Sequence, residues 1–208
     1  MTSSHVAAFD VDGTLTMRDC VVPFLRRVAG LPTLAWGVAT AAPTSVPALI
    51  RRDRDTLKAV ATRAAFRGRG AAAVAELADR FAAEVADGWL RDDTVASLRR
   101  HQAAGSATVL VSASYAVYLR PLAAELGVDA VLATELEVGP DGRLTGSLRG
   151  HNCRGPEKVR RLHAWLDERA GGRSAVTVTA YGDSAGDREL LADADHAHWV
   201  ADHESWSN

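Results

Sequence analysis

Phe9-Asp10-Val11-Asp12-Gly13-Thr14-Leu15-Thr16 is the stretch on which the reading of the whole chain turns. The run before it, His5 to Phe9, is apolar, carries β-branched Val6, and reads as a short buried strand. That strand breaks off at two carboxylates and a glycine. Side chains two residues apart on an extended backbone share a face, so Asp10 and Asp12 project together if the strand conformation continues through them. Apposed carboxylates repel unless one is protonated or a cation lies between them, so the pair implies a metal ion, a shared proton, or both. Gly13 allows a sharp turn whose amides can point at an anion. The bland alternative is an ordinary strand-to-loop transition with solvated aspartates, but buried strands seldom end in paired acids without a use.

The rest of the composition sets bounds. A chain of 208 residues holds one sizeable core, with or without a smaller inserted module. The formal net charge of −2 makes no global electrostatic case for nucleic acid or an anionic membrane. Cys20 and Cys153 are the only cysteines and lie far apart, so neither a disulfide framework nor a cysteine zinc site is supported. No basic region precedes the first apolar run, and Asp10 and Asp12 interrupt it, so a signal peptide is not expected and a cytoplasmic location is. Only two of the 24 basic residues are lysines, Lys58 and Lys158, and in a chain that otherwise uses arginine each lysine invites a question.

Downstream of Thr16, residues 20–28 are apolar at helical spacing and close at Gly30. Residues 31–50 carry no charge, yet Pro32, Pro43 and Pro47 interrupt them, so they read as buried helices of a small module, with Trp36 in its core, rather than a membrane span. An amphipathic helix with a solvated basic face follows to Phe66. Arg67-Gly68-Arg69-Gly70 breaks it, and Ala71 to Leu90 forms another helix with a core stripe through Val74, Phe81 and Val85. The next helix starts near Asp93, capped by Asp92 or Asp93, and ends at Gly105.

From Ala107 the pattern becomes β. Thr108 to Val111 reads as a strand buried on both faces that ends in Ser112-Ala113-Ser114, with Ser114 as N-cap of the helix after it. A short strand at 130–132, a hairpin turning at Asp141-Gly142, a helix from Pro156, a strand over 176–181 and the loop Gly182-Asp183-Ser184-Ala185-Gly186-Asp187 follow, before a short helix and a last strand near 197–201. Alternating strands and helices imply a three-layer α/β/α, Rossmann-like parallel sheet. The expected organisation is a catalytic core of residues 1–18 and 93–208, with an all-helical cap, 19–92, inserted after the first strand. Ligands of such sheets bind at the carboxyl ends of the strands, and Asp10, Ser112 and Asp183 each follow one. Singly, each could be a turn or cap residue, and Lys158 a helix surface residue; jointly they describe a site. His196 and His198 alternate as a zinc pair could, but a surface or packing role is expected. His151-Asn152-Cys153 lies in the loop before Lys158, where it could shape the site entrance, but a plain loop is the expected reading.

The stretch 10–16 resembles the first signature of the haloacid dehalogenase-like phosphohydrolases, in the branch similar to phosphoserine phosphatase. Val111-Ser112 is similar to the second signature, Lys158 after Pro156-Glu157 to the third, and Gly182 to Asp187 to the fourth. The resemblance implies a Mg²⁺-dependent phosphatase of a small-molecule phosphomonoester. Asp10 would be nucleophile and Asp12 general acid and base. Gly13, Ser112 and Lys158 would bind phosphate. Asp10, Asp183 and the backbone carbonyl of Asp12 would ligate the metal, with Asp187 in its outer shell. Gly186 departs from the asparagine usual in phosphoserine phosphatase. Asp19 stands where that enzyme carries a glutamate meeting the substrate ammonium, which implies an amino-alcohol phosphate such as phosphoserine or histidinol phosphate; an N-cap for the helix near Cys20 is the alternative. A phosphotransferase using the same aspartyl-phosphate, and a non-catalytic phosphate-binding regulator, are the rival functions.

Overall fold

The computed structural model describes residues 4–41, 44, 50 and 53–200. Five parallel strands form one sheet in the order β3-β2-β1-β6-β7, with β1 (His5–Phe9) in the middle. It pairs with β2 (Ala107–Tyr115) on one side and β6 (Thr177–Gly182) on the other, and β3 (Ala130–Thr134) and β7 (His196–Trp199) form the edges. Phe9 lies level with Leu110 and Tyr181, so β1 and β6 finish within a residue of each other while β2 runs on beside them to Tyr115. The strands are apolar on both faces because both are covered. Ala7, Phe9 and Leu110 join one hydrophobic cluster, while Val6, Ala8, Val109 and Val111 join a second that includes Leu162, Leu166, Leu190 and Leu191.

Those leucines belong to α7 (Pro156–Arg169) and α8 (Arg188–Asp193), which cover one face. Between β1 and the helix that leads into β2, α5 (Asp92–Ala103), stand four others among the described residues: α1 (Val21–Ala29), α2 (Leu31–Thr40), α3 (Arg54–Phe66) and α4 (Ala71–Gly88). α6 (Ala116–Glu125) follows β2 and packs against α4. Aromatic rings seal this side: Phe24 lies 4.8 Å from Tyr118, Phe81 5.3 Å from Tyr118, and Phe66 5.2 Å from Tyr115, centroid to centroid. The hairpin expected around Asp141-Gly142 forms β4 (Leu136–Val138) and β5 (Leu144–Leu148), and it docks on the α3–α4 turn through Gly68 N–H to Leu144 O (2.8 Å) and Ala71 N–H to Gly142 O (2.9 Å).

Four local expectations need correction. β2 does not stop at Val111 but runs to Tyr115, so Ser112 and Ser114 lie within a strand, and α6 takes Tyr115, with no side-chain cap, as its N-cap. The Ser114 hydroxyl has other partners, described below. The N-cap of α5 is Arg91, not Asp92 or Asp93; Asp93 instead accepts from Thr94 N–H (2.8 Å) and pairs with Arg91. The apolar helix α2 has no buried residue, and Trp36 is 72% exposed. α2 meets α3 where a Cβ on Gly37 would fall 2.3 Å from that of Ala64; Leu34 packs partly against the core, and Leu31, Trp36 and Val38 are left outside. Residues 42, 43 and 45–49 of the uncharged segment lie outside the described residues. Among the described residues no helix is long and apolar enough to cross a membrane. Asn152, expected in a plain loop, is the fourth case and belongs to the site.

Candidate active site

Asp10 leaves β1 with its N–H on Tyr181 O (3.0 Å), prolonging the ladder by one residue, and its carboxylate meets Lys158 Nζ at 2.8 Å. Lys158 enters from the first turn of α7 and is 1% exposed; its second partner is Asp187, at 2.5 Å. Burial depresses the lysine's affinity for its proton, but Asp10 and Asp187 outweigh that and hold its pKa above the ordinary value. Burial first, and then the Asp187 charge, raise the Asp10 pKa against the pull of Lys158.

Asp187 is fully buried and spoken for on both oxygens, one by Lys158 and the other by Ser184 N–H (3.0 Å) and Oγ–H (2.7 Å). Asp183 lies across from Asp10 and accepts from Thr14 Oγ1 at 3.0 Å. Its carboxyl is pushed up to about 6, by burial and then by Asp10. Asp10, Asp183 and Asp187 each bring one carboxylate oxygen within 4.8 Å of the others, so this acidic cluster can hold a metal ion. Gly13 explains why Asp183 comes so close. Its φ is +79°, and a Cβ there would lie 2.3 Å from Asp183 Oδ2. Gly13→Ala should therefore displace Asp183 and lower metal-supported activity by at least roughly tenfold, read as a raised half-saturating metal concentration; unchanged metal dependence would detach Gly13 from the cluster.

Asp12 does not face the same way as Asp10. One oxygen accepts from Cys20 N–H (2.8 Å) and the other from the Ser114 hydroxyl, which in turn accepts from Tyr118 Oη at 2.6 Å. Burial, followed by the Asp19 and Asp10 charges, pushes its carboxyl up to about 7. Ser114 was legible only as a cap, yet it is the residue that aims Asp12. Ser114→Ala should leave Tyr118 Oη and one Asp12 oxygen unpaired, lowering stability by about 1–3 kcal/mol. Turnover should fall more for an alkyl leaving group than for nitrophenol, which needs no protonation; an equal loss on both would reduce Ser114 to packing.

Ser112, 1% exposed, accepts from Ser114 N–H at 3.1 Å, which leaves its own proton free to donate. Asp19 accepts from Val21 N–H (2.8 Å) and Val22 N–H (3.5 Å), so it secures the start of α1 although Cys20 is the formal N-cap. All eight residues singled out in the sequence, Asp10, Asp12, Gly13, Asp19, Ser112, Lys158, Asp183 and Asp187, line one cavity of about 700 Å³. Sequence reasoning missed two others. Lys58, on α3, donates to Ala113 O and to Asn152 Oδ1 (2.9 Å), and burial pulls its pKa down to about 8. Asn152 binds back to Asp55 of α3 at 2.6 Å, stitching α3 to the loop before α7. The rarity of lysine was the signal for the first; the signal for the second was its place in the loop before Lys158, set aside in favour of a plain loop. His196 and His198 stay outside the acidic cluster, and His198 stacks on Tyr181 with centroids 4.7 Å apart.

The model of the haloacid dehalogenase-like hydrolases matches residues 7–192, from the first strand to the end of α8. The chain belongs to that family. Protein CicA of Caulobacter vibrioides is 40% identical over 190 residues, 91% of this chain and 83% of CicA. A solved protein of unknown function from Bordetella pertussis Tohama I is 25% identical, with a TM-score of 0.70 over 92% of this chain and 87% of its own. A probable phosphoserine phosphatase from Vibrio cholerae shares the fold at 15% identity and a TM-score of 0.64, covering 91% of this chain and 54% of that one. The α/β form with a five-stranded parallel sheet is thus that of the haloacid dehalogenase-like hydrolases, the fold that the resemblance implied.

Proposed function

We propose that the protein hydrolyses a small-molecule phosphomonoester through an aspartyl-phosphate on Asp10. The observation that carries this reading is Lys158, a cation buried between Asp10 and Asp187 at the carboxyl ends of the central strands. A phosphomonoester dianion repels an anionic nucleophile, so fixed positive groups have to meet it first. Lys158 and the free Ser112 proton offer two donors to the non-bridging oxygens, and the amides of the turn from Val11 to Gly13 offer others. The oxygen-only set of Asp10, Asp183 and the Asp12 carbonyl suits Mg²⁺, with Asp187 orienting from behind because both of its oxygens are engaged. Bound there, Mg²⁺ supplies charge neutralisation and in-line alignment of the phosphoryl group.

Asp10 attacks phosphorus as the ester oxygen leaves, and Asp12, whose carboxyl sits near 7, gives that oxygen its proton. The resulting carboxylate then takes a proton from the water that cleaves the aspartyl-phosphate. Residues 19–92 act as a cap over this centre. Product analysis with and without acceptor alcohols tests the reaction: inorganic phosphate alone is expected, and a phosphorylated alcohol as the main product would make the protein a phosphotransferase.

Metal and pH are linked through the same carboxyls. Asp12 and Asp183 rise from 3.8 to about 7 and about 6, so the folded metal-free protein binds more protons than the unfolded chain between those values. Its stability should therefore fall as pH rises from about 4 to 7. Mg²⁺ should raise the melting temperature more at pH 8 than at pH 5, because at the lower pH it competes with the proton on Asp183. A Mg²⁺ effect that is absent, or larger in acid, would count against the cluster as a metal site.

A further inference from the structure

Beyond the phosphate centre, the described wall of the cavity is unevenly charged. Arg18, Arg54, Lys58 and Arg154 line it, against the single carboxylate Asp19, and the Asp19 oxygens already accept from the α1 amides. The hydrogen-bond partners of Lys58 are all neutral: Ala113 O, Thr134 Oγ1 and Asn152 Oδ1. Arg18 lies over the Trp89 ring, 3.6 Å from its centroid. Elsewhere arginines pair with acids, as Arg160 and Arg161 do with Glu157 and Arg173 with Asp193, but neither Arg54 nor Arg154 has a carboxylate within ion-pair distance among the described residues.

Arg154 is built into its position. Gly155 N–H donates to Gly186 O at 2.9 Å, which ties the loop before α7 to the acidic loop. The Arg154 side chain then lies along Gly186 so tightly that a Cβ there would meet its Cγ and Nε at 3.2 Å. Yet it forms no ion pair with Asp183 or Asp187 on that loop; Ser184 and Lys158 hold both oxygens of Asp187, and Thr14 holds one of Asp183. A half-buried guanidinium without a carboxylate partner presents a planar fork to whatever fills the cavity. Gly186, the position that departs from phosphoserine phosphatase, is what makes room for it.

Resting on the phosphatase reading above, we propose that the leaving group carries a second anion, a carboxylate or another phosphate, and that Arg154, seated on Gly186 in the cavity wall that also holds Arg54 and Lys58, selects it. This reverses the preference for an ammonium that Asp19 suggested. The apolar wall of Val21, Val22, Leu25 and Leu57 accommodates the carbon chain between the two anions.

The test is a set of phosphomonoesters of equal chain length ending in a methyl, an ammonium, a carboxylate or a second phosphate, assayed as kcat/KM with saturating Mg²⁺. The wild type should favour one or both anionic esters by about tenfold or more over the methyl ester, and which of the two leads identifies the anion. Arg154→Ala should erase that preference through KM and leave the methyl ester within about twofold. Gly186→Asn, which keeps the cation but displaces it, should do the same while melting near the wild type. A wild-type profile that is flat or favours the ammonium, or an Arg154→Ala loss equal on all four esters, overturns the inference and leaves the phosphatase reading standing. No turnover of any ester removes both.

Discussion

Asp10→Asn protein is expected to melt within a few degrees of the wild type and to release no measurable phosphate, a loss of roughly four orders of magnitude or more. The amide keeps the size of the carboxyl, and its oxygen can still accept from Lys158, so the fold has no reason to change. What it lacks is the charge that attacks phosphorus and half of the charge that would hold a metal ion beside Asp183. The measurement is phosphate release at saturating Mg²⁺ with a parallel melting curve. A sequence-verified Asp10→Asn sample that hydrolyses esters at the normal rate would falsify the covalent mechanism.

Lys158→Met is expected to be as damaging to the fold as to turnover. The side chain is 1% exposed between Asp10 and Asp187, and no other cation contacts either carboxylate among the described residues. Removing one partner of a buried ionic cluster costs about 3–5 kcal/mol, because the remaining charges stay out of water without compensation. Lys158→Arg keeps the charge but not the shape. A planar guanidinium cannot occupy the point between two carboxylates and still meet phosphate, so this variant should fold better than Lys158→Met and turn over almost as poorly. Equal stability of Lys158→Met and wild type would move the lysine out of the cluster.

The legible parts were those where one residue type has one use at one spacing. Asp10, Asp183 and Lys158 fall at strand ends or a helix start, and parallel topology then brings them to a common edge whatever the loops do. Ser114 was misread because a serine before a helix is ordinarily a cap, and only the third dimension shows Asp12 beside it and Tyr118 behind it. α2 was misread because its uncharged composition suggested burial, while the Gly37–Ala64 crossing, a matter of side-chain size rather than hydropathy, leaves Leu31, Trp36 and Val38 exposed. The Arg154–Gly186 contact joins two loops that periodicity says nothing about.

The ring cluster beneath α1, α3 and α4 bears on inheritance. Phe24 and Phe81 are packed against Tyr118, and Tyr118 Oη reaches Asp12 through a single serine. The helices inserted after β1 are therefore not a detachable attachment that could be exchanged between relatives without touching the residues that hold Asp12. Drift at the positions facing the cavity, such as Arg54, Leu57 and Ala61 of α3, can alter what is admitted. Drift at the rings of the same helices changes how Asp12 is held, so diversification of this chain is channelled to one side of each helix.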